Sequence, residues 1–335
     1  MGAEQPGLGL QVAEDSHPSL AGIQRGACII TFLGTAGSQP SKYRNVSAMH
    51  VGLGEGCGVL LDCGEDTLGQ LKRRFGAAGA EKRVRELRLV WISHMHADHH
   101  GGLYRLLQLR AQLAGPGAPP LLVVGPGPLM PVLTAYQQAV PLPFLFLPNE
   151  WLLGRMPGRG PPLAVRQAFT EAVEALGLVS LQPIAVVHIA YSCGIRLQGR
   201  SGWVVVYSGD SRPCDKVINA ARDASLLIHE ATFEDDKSED AERKRHSTTG
   251  DALQVAEQAN VYRVVLTHFS TRYPTMPVVD VAAHPNMAVA CDFMTVDLAD
   301  LPWLPKVTAP LAALFKREAR GWEQDEVAAV AAPIT

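Results

Sequence analysis

The pattern of hydrophobic and polar residues separates an irregular start of the chain from a folded part. Residues 1–26 are rich in Gly, Pro and polar residues without periodicity, which predicts a flexible lead-in. Short apolar runs bounded by polar residues follow, and such runs predict β-strands. The pattern predicts strands at 28–33, 48–53, 58–62 and 87–92, and a helix at about 66–75 with basic residues near its C-terminal end.

The second half continues with short strands and a few helices. Predicted strands lie at 121–124, 184–188, 195–197, 203–208, 225–228 and 264–267, and predicted helices at 103–113 and 251–259. A Pro-rich stretch at 141–162 predicts a surface connection or a poorly ordered loop. We therefore expect one folded domain at 27–316, followed by a solvated C-terminal tail at 317–335.

The composition is typical of a globular protein with a substantial core. Of the 335 residues, 47% are hydrophobic and 19% are charged. The formal net charge of -3 provides no overall attraction to nucleic acid, so any contact with RNA must be local. Basic clusters occur at 72–74, 82–85 and 243–245, and each one taken singly is more typical of a solvated helix face than of a binding site.

Cysteine usage and the N-terminal sequence indicate the compartment. The six cysteines form no CxxC pair and no dense disulfide framework. No basic residue precedes Arg25, so neither a secretory signal nor an Arg-rich transit peptide is visible, and no apolar stretch approaches the length of a membrane span. We expect an intracellular, reducing compartment and no membrane partner, while nucleus, mitochondrion and cytoplasm are not distinguished.

One motif directly after the strand predicted at 87–92 indicates metal chemistry. His94, His96, Asp98 and His99 lie close together there, and imidazole with carboxylate suits Zn²⁺. The alternative is a set of surface histidines, but an apolar strand before the motif and two glycines after it are typical of a structured site. Because four such neighbours cannot all reach one tetrahedral ion, the motif predicts two zinc ions, with Mn²⁺ or another divalent ion left open.

Three further residues offer ligands in a similar context. His188, Asp210 and His268 each lie at or just beyond the end of a predicted apolar strand. A single histidine at such a place is more often a structural residue than a ligand. As a set that accompanies the main motif, the three are expected to complete the metal site.

These residues, in this order, resemble the motifs of the metallo-β-lactamase-fold hydrolases. The resemblance implies an α/β (α+β) fold arranged as an αββα sandwich, with the metals at the sheet edges. It also makes Asp62 a plausible hydrogen-bond partner for a metal-binding histidine. It implies that one zinc is held by His94, His96 and His188, that the other is held by Asp98, His99 and His268, and that Asp210 bridges the two.

Four smaller motifs are similar to those of tRNase Z, the endoribonuclease that processes the 3′ end of precursor tRNA. They are PSKYRN at 40–45, GPGPL at 125–129, HEAT at 229–232 and HST at 246–248. The resemblance implies a zinc-dependent phosphodiesterase that removes the 3′ trailer of precursor tRNA, leaving a 3′-hydroxyl on the tRNA and a 5′-phosphate on the trailer. It further implies that a metal-bridging hydroxide attacks the phosphorus.

The same resemblance implies roles for individual residues. Lys42, Arg44 and Asn45 are the expected substrate-binding residues, since Lys and Arg in a polar loop suit phosphate. Asp98 would orient or deprotonate the attacking water, and His246, oriented by Glu230, would protonate the leaving 3′ oxygen. The sequence around His246 also has a structural interpretation, because Ser or Thr at 247–249 would cap the helix predicted next.

The chain resembles the C-terminal catalytic half of the long form of tRNase Z. In the short form a protruding arm that grips tRNA lies between the residues that match His188 and Asp210, and here that interval is too short for it. We therefore expect precursor tRNA as the substrate and an arm-bearing N-terminal half or partner subunit outside this chain. A glyoxalase-II-like thioesterase and a non-catalytic scaffold remain alternatives, because fold alone does not fix function.

Overall fold

Two β-sheets form the centre of the fold. The computed structural model describes residues 17–54, 56–115, 119–156, 158, 160–273, 277, 279–280 and 282–315. The strands are β1 Ile29–Gly34, β2 Ala48–Gly52, β3 Gly58–Cys63, β4 Leu87–Trp91, β5 Leu121–Gly125, β6 Phe144–Pro148, β7 Leu178–Ala185, β8 Cys193–Gly199, β9 Val204–Tyr207, β10 Leu226–Glu230, β11 Arg263–Thr267, β12 Met287–Val289 and β13 Thr295–Asp297.

Helices of varied length connect these strands. They are α1 Thr67–Glu86, α2 Ala97–His100, α3 Leu103–Ala114, α4 Leu129–Ala139, α5 Asn149–Leu152, α6 Leu163–Ala175, α7 Asp215–Ala220, α8 Ser238–Lys244 and α9 Thr249–Gln258. Short 3-10 turns occur at Pro18–Leu20, Asp235–Lys237, Leu298–Asp300 and Leu304–Val307. No helix in the described part of the chain is long and apolar enough to cross a membrane.

Each sheet is mixed, with a parallel part and an antiparallel part. The first has the order β13-β1-β2-β3-β4-β5-β6, and the second has the order β12-β11-β10-β9-β8-β7. Strands β3 to β6 are parallel to one another, as are β9 to β12, and the remaining neighbours are antiparallel. Parallel neighbours end at the same edge of a sheet, so residues that follow β9, β10 and β11 come close together.

Three apolar layers show that the sheets pack face to face with helices outside them. In β3, Val59 and Leu61 belong to the layer between the sheets, whereas Leu60 belongs to the layer under α1, α3 and α4. In β10, Ile228 faces the inner layer, and Leu227 packs on the layer under α7 and α9. Strands covered on both faces have continuous apolar sequences. The predicted αββα sandwich is confirmed.

Most predicted strands are confirmed, with small shifts at their ends. Strand β7 ends at Ala185, so His188 lies in the turn beyond it and not at its last position. Strand β10 extends to Glu230, which makes His229 and Glu230 strand residues. The six cysteines are free thiols, consistent with the prediction of no disulfide framework.

The prediction of a loop at 141–162 is wrong for its middle part. Residues there form β6, an edge strand parallel to β5, and the short helix α5. An edge strand tolerates proline because one side of it needs no backbone donor. The flanking prolines therefore concealed the apolar run that pairs with β5.

The prediction of a flexible lead-in also fails where the structure describes it. Leu20 is buried in the inner apolar layer, and the His17 ring stacks on Tyr262. Arg25 forms a bidentate ion pair with Asp300. The rest of the predicted lead-in, residues 1–16, and the predicted tail at 317–335 lie outside the described residues.

Helix α1 is longer than predicted and contains a break. Its first part matches the predicted helix at 66–75, and Gly76 then takes a φ of 71°, which a residue with a side chain adopts only with strain. The chain resumes a helical course to Glu86. The basic cluster at 82–85 therefore lies in a second helical segment that the sequence pattern did not predict.

Replacing Leu89 with Ala tests the inner layer. Leu89 is fully buried in β4, between neighbours on β3 and β5. Loss of its side chain leaves a cavity, so we expect the free energy of unfolding in urea to fall by about 2–5 kcal/mol. Leu163→Ala, at a position 60% exposed, is the matched control and should change it by less than about 0.5 kcal/mol. Equal losses would contradict the assigned packing.

Candidate metal centre

The seven predicted metal ligands converge at one edge of the sandwich. His94 and His96 follow β4, and Asp98 and His99 lie on the short helix α2. The other three come from the second sheet, in the segments after β7, β9 and β11. These three residues are His188, Asp210 and His268. The two sheets thus supply one cluster from four separate chain segments.

Ring nitrogens in the cluster face one another at short distances. His94 Nε2 lies 3.0 Å from His96 Nδ1, which is 3.2 Å from His188 Nε2. On the other side, His99 Nε2 lies 3.2 Å from His268 Nε2. Donor atoms of His94, His96, His188 and Asp210 lie within 4.8 Å of one another, as do those of Asp98, His99 and His268. These two groups contain the two predicted ligand sets, and Asp210, His246 and His268 form a third group of donor atoms within the same distance.

Asp210 lies between the two groups. Its Oδ2 atom is 3.5 Å from His94 Nε2 and 3.3 Å from His99 Nε2, and its Oδ1 atom is 3.2 Å from His268 Nε2. The carboxylate is 2% exposed, and Oδ1 has no hydrogen-bond partner among the described groups. A buried carboxylate oxygen without a donor is costly unless a cation compensates it. The donor set therefore fits a metal ion.

Electrostatics hold three imidazoles and Asp210 in the forms that bind metals. Burial lowers the pKa values of His94, His96 and His188, which favours neutral imidazole. Burial opposes ionisation of Asp210, but the neighbouring imidazoles, His268 first, hold its pKa well below the usual range. The neutral imidazoles of His94, His96 and His188 beside the ionised Asp210 suit a divalent transition metal. At His99, burial opposes protonation, but the carboxylates of Asp210, Asp62 and Asp98 raise the pKa well above its usual value.

The ring nitrogens directed away from the cluster are also bound. His99 Nδ1 donates to Asp62 Oδ2 at 2.8 Å, which confirms the predicted partner. Asp62 is fully buried and also accepts from Ser93 and the Tyr207 hydroxyl. His188 Nδ1 donates to the carbonyl of Arg245. Such contacts fix the tautomer and the direction of the ring.

Thr232 links one metal ligand to a buried carboxylate. Its hydroxyl donates to Glu230 Oε2 at 2.5 Å, and the hydroxyl oxygen, Thr232 Oγ1, accepts from His268 Nδ1 at 2.9 Å. His268 itself has a φ of 61°, and its ring packs so closely on Gly37 that a Cβ there would lie 2.6 Å from the ring. The sequence motif at 229–232 contains Thr232, but nothing local indicated this orienting contact.

Glu230 and His246 form the predicted dyad. His246 Nδ1 donates to Glu230 Oε1 at 2.8 Å, and Glu230 also accepts from the backbone amides of Ser211 and Ser247. The His246 ring lies 4.7 Å from that of His188, so the dyad adjoins the metal ligands. Burial alone would lower the pKa of His246, but the Glu230 carboxylate raises it to about 9. The predicted helix cap at 247–249 is confirmed too, because Thr248 caps α9.

The loop at 40–45, which was predicted to bind substrate, has a different role for most of its predicted contacts. Lys42 is exposed, with its ammonium group 5.4 Å from the Tyr43 ring. Arg44 is buried, lies over Phe269, and donates to Thr35 Oγ1 and the carbonyl of Ala290. Its guanidinium therefore holds the loop against the fold, and the predicted phosphate contact is not supported.

Asn45 is also engaged within the protein. Its side-chain amide donates to the carbonyl of Glu65, and its backbone amide donates to Asp292. These contacts fix the loop beside the start of α1. Of the three residues predicted to bind substrate, Lys42 has the exposure that a phosphate contact requires.

Comparison with known proteins agrees with this geometry. A family model described as a beta-lactamase superfamily domain matches residues 58–269. The chain belongs to the metallo-β-lactamase superfamily. The match begins at β3 and ends one residue after His268, so it includes every predicted metal ligand.

Within this superfamily, the chain is similar over most of its length to proteins named tRNase Z. It is 43% identical to the Arabidopsis thaliana "tRNase Z TRZ3, mitochondrial" over 88% of this chain and 38% of that protein. It is 40% identical to the human "Zinc phosphodiesterase ELAC protein 2", over 85% of this chain and 35% of that protein. The predicted resemblance is confirmed, and the chain spans well under half the length of these relatives.

A solved structure leads to the same conclusion about the fold. A long form RNase Z from yeast superimposes with a TM-score of 0.75 at 26% identity, covering 87% of this chain and 44% of that one. The αββα arrangement is therefore shared with a long-form enzyme, again over less than half of its length.

Replacing Thr232 with Val tests its role in orienting His268. Valine keeps the shape but leaves His268 Nδ1 without its acceptor, so we expect the affinity for zinc to fall about 10–100-fold. Competition with a chromophoric chelator measures this affinity directly, without an activity assay. Thr232→Ser keeps the hydroxyl and should retain wild-type affinity. Unchanged affinity in the Val variant would show that the contact does not support the ligand.

Proposed function

We propose that this chain is a zinc-dependent phosphodiesterase that removes the 3′ trailer of precursor tRNA. The product ends would be a 3′-hydroxyl on the tRNA and a 5′-phosphate on the trailer. The observation that carries the proposal is the adjacency of the seven-residue donor cluster and the Glu230–His246 dyad. Names of relatives at 40–43% identity, which include both tRNase Z and zinc phosphodiesterase, support it.

Two zinc ions are the proposed cofactors. His94, His96 and His188 would hold one, Asp98, His99 and His268 would hold the other, and the position of Asp210 between the groups supports a bridging role. Zinc bound here would supply Lewis acidity that lowers the pKa of water and neutralises negative charge on the phosphate. The protein's own part is to fix the direction of the donors through hydrogen bonds to their outer ring nitrogens.

The protein residues would move the protons. Asp98 Oδ2 accepts from the Ser38 amide and lies 3.5 Å from both His99 and His268. An ionised carboxylate held there can orient or deprotonate the attacking water. His246 would give its proton to the leaving 3′ oxygen, and Glu230 would stabilise the charged ring before that transfer.

Two alternatives have less support. A glyoxalase-II-like thioesterase would use a similar metal cluster, but it gives no reason for a protonated imidazole beside the site, since a thiolate leaves without help from a strong acid. A non-catalytic scaffold would not need the complete donor set that the cluster retains. Parallel assays on a thioester and on bis(p-nitrophenyl) phosphate distinguish a thioesterase from a phosphodiesterase. Metal analysis of the purified protein tests the scaffold alternative.

The decisive experiment is incubation of the purified chain with a precursor tRNA that has a 3′ extension. Mapping of both product ends should show a single cut after the tRNA body, with a 3′-hydroxyl on the tRNA. Cleavage at scattered positions, or a 3′-phosphate on the tRNA, would contradict the proposal.

Replacing His246 with Ala tests the proposed general acid. A ribose 3′ alkoxide is a poor leaving group and p-nitrophenolate a good one, so turnover on precursor tRNA should fall about 10²–10⁴-fold and turnover on the nitrophenyl ester much less. Because the pKa of His246 is raised to about 9, the acid form dominates at neutral pH. The wild-type rate on tRNA should therefore decline as pH rises through about 9. Equal losses on both substrates would exclude this role.

An arm-bearing partner half is part of the proposal. The chain spans 35–38% of the length of the two relatives, and its net charge of -3 offers few of the cations that hold folded RNA. We expect this chain alone to hydrolyse small phosphodiesters normally but to bind precursor tRNA weakly. Adding the partner half should tighten tRNA binding without changing the small-substrate rate. Filter retention across a salt series measures this, and tight binding by the isolated chain would contradict it.

A further inference from the structure

A polar pocket lies at the end of the first sheet that is farther from the metal centre. It has a volume of about 340 Å³ and opens between the β2–β3 turn and the second segment of α1. In the pairing of β2 with β3, Ala48 faces Cys63 near the metal centre, and Gly52 faces Gly58 at the pocket. At the usual rise per residue the two places are about 13 Å apart along β2. The pocket is therefore separate from the proposed catalytic site.

Two arginines of α1 line this pocket. Arg83 lies over the Phe75 ring at 3.4 Å and donates to the carbonyl of Gly79, and Arg74 lies on the same ring at 5.3 Å and donates to Thr295 Oγ1. Within the described residues, neither guanidinium forms an ion pair. The acidic side chain on the same wall, Glu86, pairs instead with Lys82. The pocket has an excess of positive charge.

A buried histidine lines the same pocket. His50 is 7% exposed, and its Nε2 has no hydrogen-bond partner. The ring fits there because the nearby residue of β3 is Gly58, where a Cβ would lie 3.0 Å from Nε2. Burial, and then the charge of Arg83, lower the pKa of His50 to about 4. Burial also lowers the pKa of Arg83, the Glu86 carboxylate opposes that shift, and the charge of Arg74 adds to it. An anion in the pocket would offset the positive charge of the two arginines beside the imidazole.

We propose that this pocket binds a phosphate group, with Arg74 and Arg83 as its charged contacts and His50 at its inner wall. Arginine suits phosphate because its planar fork can donate two parallel hydrogen bonds. The β2–β3 turn helps, since Gly52, Gly54 and Gly56 place no side chains in the opening. The phosphate could belong to a small phosphorylated compound or to an RNA backbone, which share this chemistry.

The test uses the imidazole itself as the reporter. The zinc-loaded protein is labelled on its 11 histidines, and the His50 signal is assigned by its loss in His50→Gln. Titration with inorganic phosphate at constant ionic strength should shift the His50 signal saturably, and chloride should not. The Arg74→Gln/Arg83→Gln variant should weaken phosphate binding about tenfold or more. Lys216→Gln/Arg222→Gln, which removes the same charge from exposed positions on and after α7, should bind as the wild type does.

The source of the phosphate is decided by a second measurement. If the ligand is RNA, precursor tRNA should shift the His50 signal, and the KM for tRNA should rise in the Arg74→Gln/Arg83→Gln variant with unchanged kcat. If it is a small compound, phosphate alone should shift the signal, and the tRNA kinetics should not change. No response of His50 to phosphate, or an equal response to chloride, would overturn the proposal. The wild-type titration decides this even if the double variant fails to fold.

Discussion

Burial of carboxylates at the junction of the two sheets is the constraint on which the rest of the structure depends. Asp62 and Glu230 are fully buried and Asp210 nearly so, in a region where an uncompensated charge would cost several kcal/mol. Backbone amides, hydroxyls and imidazoles from both sheets compensate Asp62 and Glu230. Among the described residues, Asp210 lacks full compensation, and it is the position at which a cation fits.

This arrangement explains why the ligands need the whole sandwich. Two hydrogen bonds between His188 and Arg245 join the turn after β7 to the end of α8. Thr232 joins the end of β10 to the residue after β11. Cys193 of β8 donates its amide to the carbonyl of Ser93, beside the histidine motif. Metal binding should therefore stabilise the contact between the sheets, because its ligands come from both.

The charged groups of the chain are divided between two places. Those at the metal centre are buried, whereas Arg74, Lys82 and Arg83 of α1 lie at the far end of the first sheet. Arg44 illustrates the difference, since its position in the sequence suggested a phosphate contact, but its burial makes it a structural residue. Basic residues whose sequence context suggests phosphate binding can therefore have different roles in the structure.

The sequence by itself determined the strands, the identity of the donors and the dyad. Apolar runs are local features, and residue types such as His94, Asp98 and Glu230 specify their own chemistry wherever the chain places them. Only the tertiary structure decided that Arg44 faces inward, that Thr232 supports His268, and that 144–148 forms an edge strand. It also brought His50 beside Arg83. The reason is that these contacts join residues distant in sequence, and sheet register and packing set them.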